Sequence, residues 1–122
     1  MYYFDSYAII EIARGNPKYR EFSRAEGVTS VLNLLEVFYI LAQAGEPSLA
    51  RSAFESGHTS AVQFPASLVP LAATFRLGVR GATGRRFSYI DALGYTYSRE
   101  SGYDFLTGAA EFEGFEGVRF VR

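Results

Sequence analysis

Hydrophobic and polar positions along this chain switch repeatedly between a short and a helical period, and the switches predict strands and helices in turn. Tyr2-Tyr3-Phe4 is an aromatic, β-prone run that ends at Asp5-Ser6, a strand running into a helix cap. A helix from about Ser6 to Arg14 follows, with Ile9, Ile10 and Ala13 on one side and Gly15 and Pro17 to stop it. A second short helix is expected near Tyr19–Arg24, then a brief strand at Gly27-Val28-Thr29. Ser30 opens a helix to about Ala44 that is apolar on nearly every side, which predicts a position at the centre of the domain. Pro47 starts another helix, carrying Leu49, Ala50, Ala53 and Phe54 to a stop at Gly57, and Ala61–Phe64 reads as a strand. Leu68, Leu71, Ala72, Phe75 and Val79 give residues 67–80 amphipathic helical spacing, and 81–86 (GATGRR) reads as a loop. Ser88 caps a last long helix that ends at Gly102, and Asp104–Thr107 and Val118–Val121 complete the set as strands.

Strands that alternate with helices imply an α/β fold whose parallel sheet is covered on both faces. With 122 residues, the chain reads as a single domain, 1–122, large enough for a core without disulfides or structural metals. It has no cysteine, which excludes disulfides, thiolate metal sites and cysteine nucleophiles. The start has no basic region ahead of an apolar one, and prolines and polar residues interrupt the uncharged stretch 56–75. A cytoplasmic protein with no membrane segment is expected.

Charge adds the chemistry. Asp5 is the only charge in residues 1–10, Glu36 the only one in 31–42, and Asp91 the only one in 87–98. A bare carboxylate taken out of water costs several kcal/mol unless a cation or hydrogen-bond donors meet it. None of these runs holds a lysine or arginine, so the economical arrangement brings the three acids together around a shared divalent cation. Asp5 would stand at the carboxyl end of the first strand, where open α/β sheets gather ligands. Glu36 lies about two turns into its helix on a stripe with Leu32, Leu35, Tyr39 and Gln43, and Asp91 lies in the first turn of its helix. Oxygen-only donors suit Mg²⁺ or Mn²⁺. Each acid also has a structural explanation. Ser88-x-x-Asp91 fits a capping box, Asp5 fits a helix cap, and Glu36 could meet an arginine from elsewhere in the fold.

The remaining charges are uneven. Between Glu55 and Asp91 there is no acid, while Arg76, Arg80, Arg85 and Arg86 lie there; from Glu100 to Glu116 there is no basic residue. Arg80, Arg85 and Arg86, leading into Asp91, are candidates for phosphate contacts, whose forked guanidinium groups suit them to that role. Tyr89, Tyr95 and Tyr97 are candidates for stacking on unpaired bases, with core packing expected for at least two of them.

The pieces YYFDSYAIIEI, TSVLNLLEVFYIL, SYIDALGYTYSRESGYDFLTGAAEF and GVRFV, in this order, resemble PIN-domain ribonucleases, especially the compact VapC-type toxins of toxin–antitoxin pairs. The resemblance runs essentially end to end. It implies a three-layer α/β/α fold with a five-stranded parallel sheet, and an acid cluster binding Mg²⁺ or Mn²⁺ for endonucleolytic cleavage of RNA. By position, Asp5, Glu36 and Asp91 match the family's first three acids, and Ser6 and Thr107 its supporting hydroxyls. The resemblance also implies a homodimer silenced by a protein antitoxin. One position departs from the pattern: Ala109 stands where many relatives carry a fourth acid. Glu111 is a possible substitute; Asp104 is too far back along its strand. The rival expectation is a PIN-like module that binds RNA or protein without cleaving. A phosphoacceptor receiver domain needs a late lysine, and Lys18 is the only lysine; neither a P-loop nor G-x-G-x-x-G occurs. His58, the sole histidine, is assigned no catalytic role.

Overall fold

The computed structural model describes residues 1–122. Five strands form one sheet: β1 Tyr2–Phe4, β2 Gly27–Ser30, β3 Ala61–Val62, β4 Asp104–Thr107 and β5 Val118–Phe120. Their spatial order is β3-β2-β1-β4-β5, with every neighbouring pair parallel. The central strand pairs Tyr3 with Val28 on one side and with Phe105 on the other. The chain builds outward from β1 through β2 to β3, then crosses back to lay β4 against the free side of β1. That reversal creates a crevice above the carboxyl ends of β1 and β4.

Five α-helices cover the sheet: α1 Ser6–Ala13, α2 Val31–Gln43, α3 Pro47–Gly57, α4 Leu68–Thr83 and α5 Tyr89–Ser101. The two-residue period of β1 separates the layers. Tyr3 points to the side of α5 and packs with Tyr95, Phe105, Phe87 and Phe112. Its ring stacks on Phe105 with centroids 5.6 Å apart, and it is fully buried. Tyr2 and Phe4 point to the opposite side, against a cluster of Ala8, Tyr19, Phe22 and Leu106. A third cluster of Ile10, Val37, Leu41, Ala50 and Ala53 holds α1, α2 and α3 together. Gly94 lets α5 approach the sheet, because a Cβ there would sit 2.8 Å from the Tyr3 ring.

Three boundaries and the placement of one helix differ from the sequence reading. Strand β3, expected over Ala61–Phe64, is confined to Ala61–Val62. The segment near Tyr19–Arg24 is a 3₁₀ helix at Pro17–Phe22, started by Pro17 and by Asn16, whose side chain accepts from the Lys18 N–H. Gly81, Ala82 and Thr83 belong to the last turn of α4, not to the loop. The Thr83 hydroxyl bonds back to the Val79 carbonyl, and Gly84 closes the helix in the left-handed conformation at φ 72°. Helix α2 is not central: Val31, Leu35 and Tyr39 are each about two-thirds exposed. Only one side of it, Asn33, Leu34, Val37 and Leu41, is buried. Its all-round apolarity therefore leaves an uncovered apolar stripe.

Candidate active site

Asp5 follows directly on β1 and is 3% exposed. It is the N-cap of α1, and its Oδ1 accepts the Ala8 N–H at 2.9 Å. Burial pushes its carboxyl up to about 7; the Thr107 hydroxyl and the Ala8 N–H pull the other way, and the charges of Asp91 and Glu36 add to the rise. Asp91 is the third residue of α5 and completes a reciprocal capping box. Its N–H donates to Ser88 Oγ at 3.0 Å, and its Oδ2 accepts the Ser88 N–H at 3.0 Å. Burial raises its pKa too, opposed by the bonds to Ser88 and reinforced by the charges of Glu36 and Glu111. Glu36 lies half-buried in α2, within electrostatic reach of both aspartates.

Both structural explanations from the sequence are thus realised, since Asp5 and Asp91 are genuine helix caps. Each cap bond occupies one oxygen of its carboxylate. The third explanation fails for all three acids. The ion pairs of the protein are Arg14–Glu46, Arg99–Glu116 and Arg119–Glu21, so no guanidinium neutralises Asp5, Glu36 or Asp91. As the side chains stand, no three acidic or histidine residues are close enough to enclose a metal ion. An all-oxygen set, destabilised by burial and mutual repulsion and lacking a cationic partner, has the donor chemistry of a hard divalent ion.

Thr107 ends β4 fully buried beside Asp5, and its Oγ1 accepts the Ala109 N–H at 3.0 Å. Ser6 begins α1 and is 8% exposed; its Oγ accepts from Asn33 Nδ2 at 3.0 Å. Ala109 precedes a 3₁₀ turn at Ala110–Phe112. Glu111 within that turn is exposed, and its charge reaches Asp91. Asp104 starts β4 opposite Tyr2, at the end of the strands away from Asp5.

The arginines behave unequally. Arg80 and Arg86 are exposed. Arg85 is committed to the chain itself: its guanidinium donates to the Glu111 carbonyl at 2.9 Å and lies 5.3 Å from the centre of the Phe115 ring. Arg76, on α4, donates Nε–H to the Phe87 carbonyl at 2.6 Å and sits 4.5 Å over the Tyr89 ring. Tyr89 is 73% exposed, whereas Tyr95 is buried with its hydroxyl on the Glu116 carbonyl and Tyr97 is half-buried against Tyr3. Sequence reasoning did not find Asn33, a buried amide in an apolar helix. Its signal was its place three residues before Glu36.

Neither a protein-family model nor a curated protein sequence matches the chain. Solved structures do match in shape. VapC20 of Mycobacterium tuberculosis, described as a sarcin-ricin loop cleaving toxin, superposes with a TM-score of 0.74 at 20% identity, covering 98% of this chain and 99% of that one. The chain has the PIN-like fold of the VapC toxins. A toxin–antitoxin complex from Klebsiella pneumoniae matches at TM-score 0.74 and 15% identity, over 98% of this chain and 96% of that one. VapBC2 of Rickettsia felis, solved on a DNA fragment from its promoter, matches at TM-score 0.75 and 11% identity, over 99% and 98%. The likeness in shape therefore spans the whole chain, at 11–20% sequence identity. The fold class agrees with the sequence reading: three layers and a five-stranded parallel sheet. No helix is long and apolar enough to cross a membrane.

Proposed function

We propose that this protein is an Mg²⁺- or Mn²⁺-dependent endoribonuclease and the toxin of a toxin–antitoxin pair. The observation that carries the proposal is a pair of aspartates, Asp5 and Asp91, whose pKa values burial and the nearby charge of Glu36 raise and which no arginine neutralises. Asp5 and Asp91 would hold the cation through the oxygens their caps leave over, with the carboxylate of Glu36 completing the set. A bound Mg²⁺ or Mn²⁺ would supply Lewis acidity to a phosphodiester oxygen and a more acidic water for in-line attack. Ser6 and Thr107 would hold the carboxylate of Asp5 and the substrate side of the site through their hydroxyls. Arg80 and Arg86 are free to meet flanking phosphates, giving salt-dependent affinity without sequence information. Arg85 does so only after fixing the loop that leads to Glu111, and Tyr89 is the one tyrosine of the three exposed enough to stack on an unpaired base.

Partners follow from the same features. An arginine-bearing antitoxin tail would silence the site by giving the acids the cations they lack. The uncovered stripe Val31, Leu35 and Tyr39 suits burial in a homodimer or under the antitoxin. A cytoplasmic location fits an RNA substrate. A second reading, a non-cleaving PIN-like module, is favoured by Ala109 at the fourth acid position and by the capping roles of Asp5 and Asp91.

Manganese titration of the purified protein, followed by RNA cleavage with and without EDTA, separates the two. Cleavage that needs the metal and is lost in Asp5→Ala supports the nuclease. Binding of RNA without cleavage, unchanged by metal, supports the module.

A further inference from the structure

Asn33 is buried to 2% in the first turn of α2, yet it does more than complete the helix cap. Its backbone N–H donates to the N-cap Ser30 Oγ at 3.2 Å, which is ordinary capping. Its side-chain amide bonds to that cap residue as well and reaches beyond it to two others. The Tyr3 hydroxyl donates to Asn33 Oδ1 at 2.6 Å, the Ser30 hydroxyl donates to the same oxygen at 2.7 Å, and Asn33 Nδ2 donates to Ser6 Oγ at 3.0 Å. Every member of the network is buried: Tyr3 0%, Ser30 2% and Ser6 8% exposed.

The topology gives this amide its consequence. Tyr3 and Ser6 bracket Asp5, two residues before it and one after it. Glu36 lies three residues beyond Asn33, one turn further along the same side of α2. Asn33 is therefore a short polar bridge between the segment that carries Asp5 and the helix that carries Glu36. Apolar packing between α1 and α2 could slide by a rotamer; a buried amide with its oxygen and nitrogen both engaged cannot, because a shift strands polar groups away from water.

We propose that Asn33 is a positioning residue for the acid cluster: it fixes the separation of Asp5 and Glu36. The inference rests on the reading of the acids as a cation site. It adds that affinity for the cation is set in part by an amide that does not touch it.

The test is Mn²⁺ binding to the purified full chain, read as free Mn²⁺ by electron paramagnetic resonance, beside urea unfolding in EDTA. Asn33→Ala removes the bridge, and Ser6→Ala cuts the same link from the other end with a smaller perturbation, which keeps the test decisive if Asn33→Ala does not fold. Tyr95→Phe removes a buried hydroxyl elsewhere, the one on the Glu116 carbonyl, and serves as the control for lost stability. Both bridge variants are expected to bind Mn²⁺ roughly tenfold or more weakly, the scale of residues that orient ligands without touching the metal. Tyr95→Phe should lose comparable stability and keep the parental affinity. A folded bridge variant with parental affinity overturns the positioning role alone. So does Mn²⁺ binding that weakens equally in Tyr95→Phe, because the loss would then follow general stability. A parent that binds no Mn²⁺ overturns the positioning role together with the cation site beneath it.

Discussion

Replacing Asp5 by asparagine should make the metal-free protein more stable, although it removes a central residue of the candidate site. The carboxyl is buried, and its pKa stands at about 7 instead of the ordinary 3.8. A carboxyl whose pKa is raised by folding binds its proton more tightly in the native state. It carries no penalty below pH 4, where both states are protonated, loses stability as pH rises through the window between the two values, and carries the full penalty above pH 7. At about 1.4 kcal/mol per pKa unit, the roughly three-unit shift corresponds to a ceiling of about 4 kcal/mol at pH 8. Asparagine caps a helix about as well as aspartate, so the bond from the Ala8 N–H survives. The lost interaction with the helix dipole takes back about 0.3–1 kcal/mol. The expected net gain is at most about 3–4 kcal/mol at pH 8, an increase in Tm on the order of 10 °C for a domain of this size. At pH 5 the gain should fall to at most about 1.7 kcal/mol, because native Asp5 is then already protonated and only ionisation of the unfolded chain counts. Urea unfolding in EDTA at the two pH values measures both numbers. Added Mn²⁺ should reverse the order at pH 8 by stabilising the parent and not the variant. An Asp5→Asn protein less stable than its parent at pH 8, or a gain that does not depend on pH, would refute the account of a buried, unneutralised carboxylate.

Glu36→Gln should abolish metal-dependent RNA cleavage while leaving the urea midpoint in EDTA within about 0.5 kcal/mol, since Glu36 is half-buried and makes no ion pair; unimpaired cleavage would remove it from the site. Ala109→Asp introduces an acid at the position where the resemblance to PIN-domain ribonucleases expects one, and isothermal titration should show tighter or additional Mn²⁺ binding. Gly94→Ala should cost about 1–3 kcal/mol of stability by thermal melting, because its new methyl meets the Tyr3 ring at 2.8 Å and Tyr3 is held by both Phe105 and Asn33. Arg86→Ala should weaken RNA binding and lower its salt dependence by about one counterion without changing stability, whereas Arg85→Ala should loosen the Glu111 loop as well.

Much of the architecture was legible because local rules and global fold agree. Turn glycines, helix caps and the change of period at Asp5, Ser30 and Ser88 mark element boundaries that the structure reproduces within a few residues. The exceptions are instructive. Residues 81–83 look like a loop from their glycine and small side chains, but the Thr83 back-bond and the left-handed Gly84 carry α4 one turn further. Helix α2 looks central from its composition, yet apolarity on all sides reports only that something covers it, and that cover can be another chain as readily as this one.

The candidate site divides in the same way. The isolation of Asp5, Glu36 and Asp91 in uncharged runs is a one-dimensional fact, visible because burying a lone carboxylate is costly wherever the chain goes. Their shared electrostatics is not visible there. It arises from the strand order β3-β2-β1-β4-β5, which sets the ends of β1 and β4 side by side and brings α2 and α5 to that crevice. The sequence by itself determined which groups need a partner, because propensity and desolvation act residue by residue. Tertiary structure alone decided which groups are neighbours: that Arg85 is occupied by Glu111, that Tyr89 is exposed and Tyr95 buried, and that Asn33 joins Tyr3 to Ser6. Contacts between residues thirty positions apart depend on how the strands are ordered and how closely the helices pack, and no local pattern along the chain encodes either.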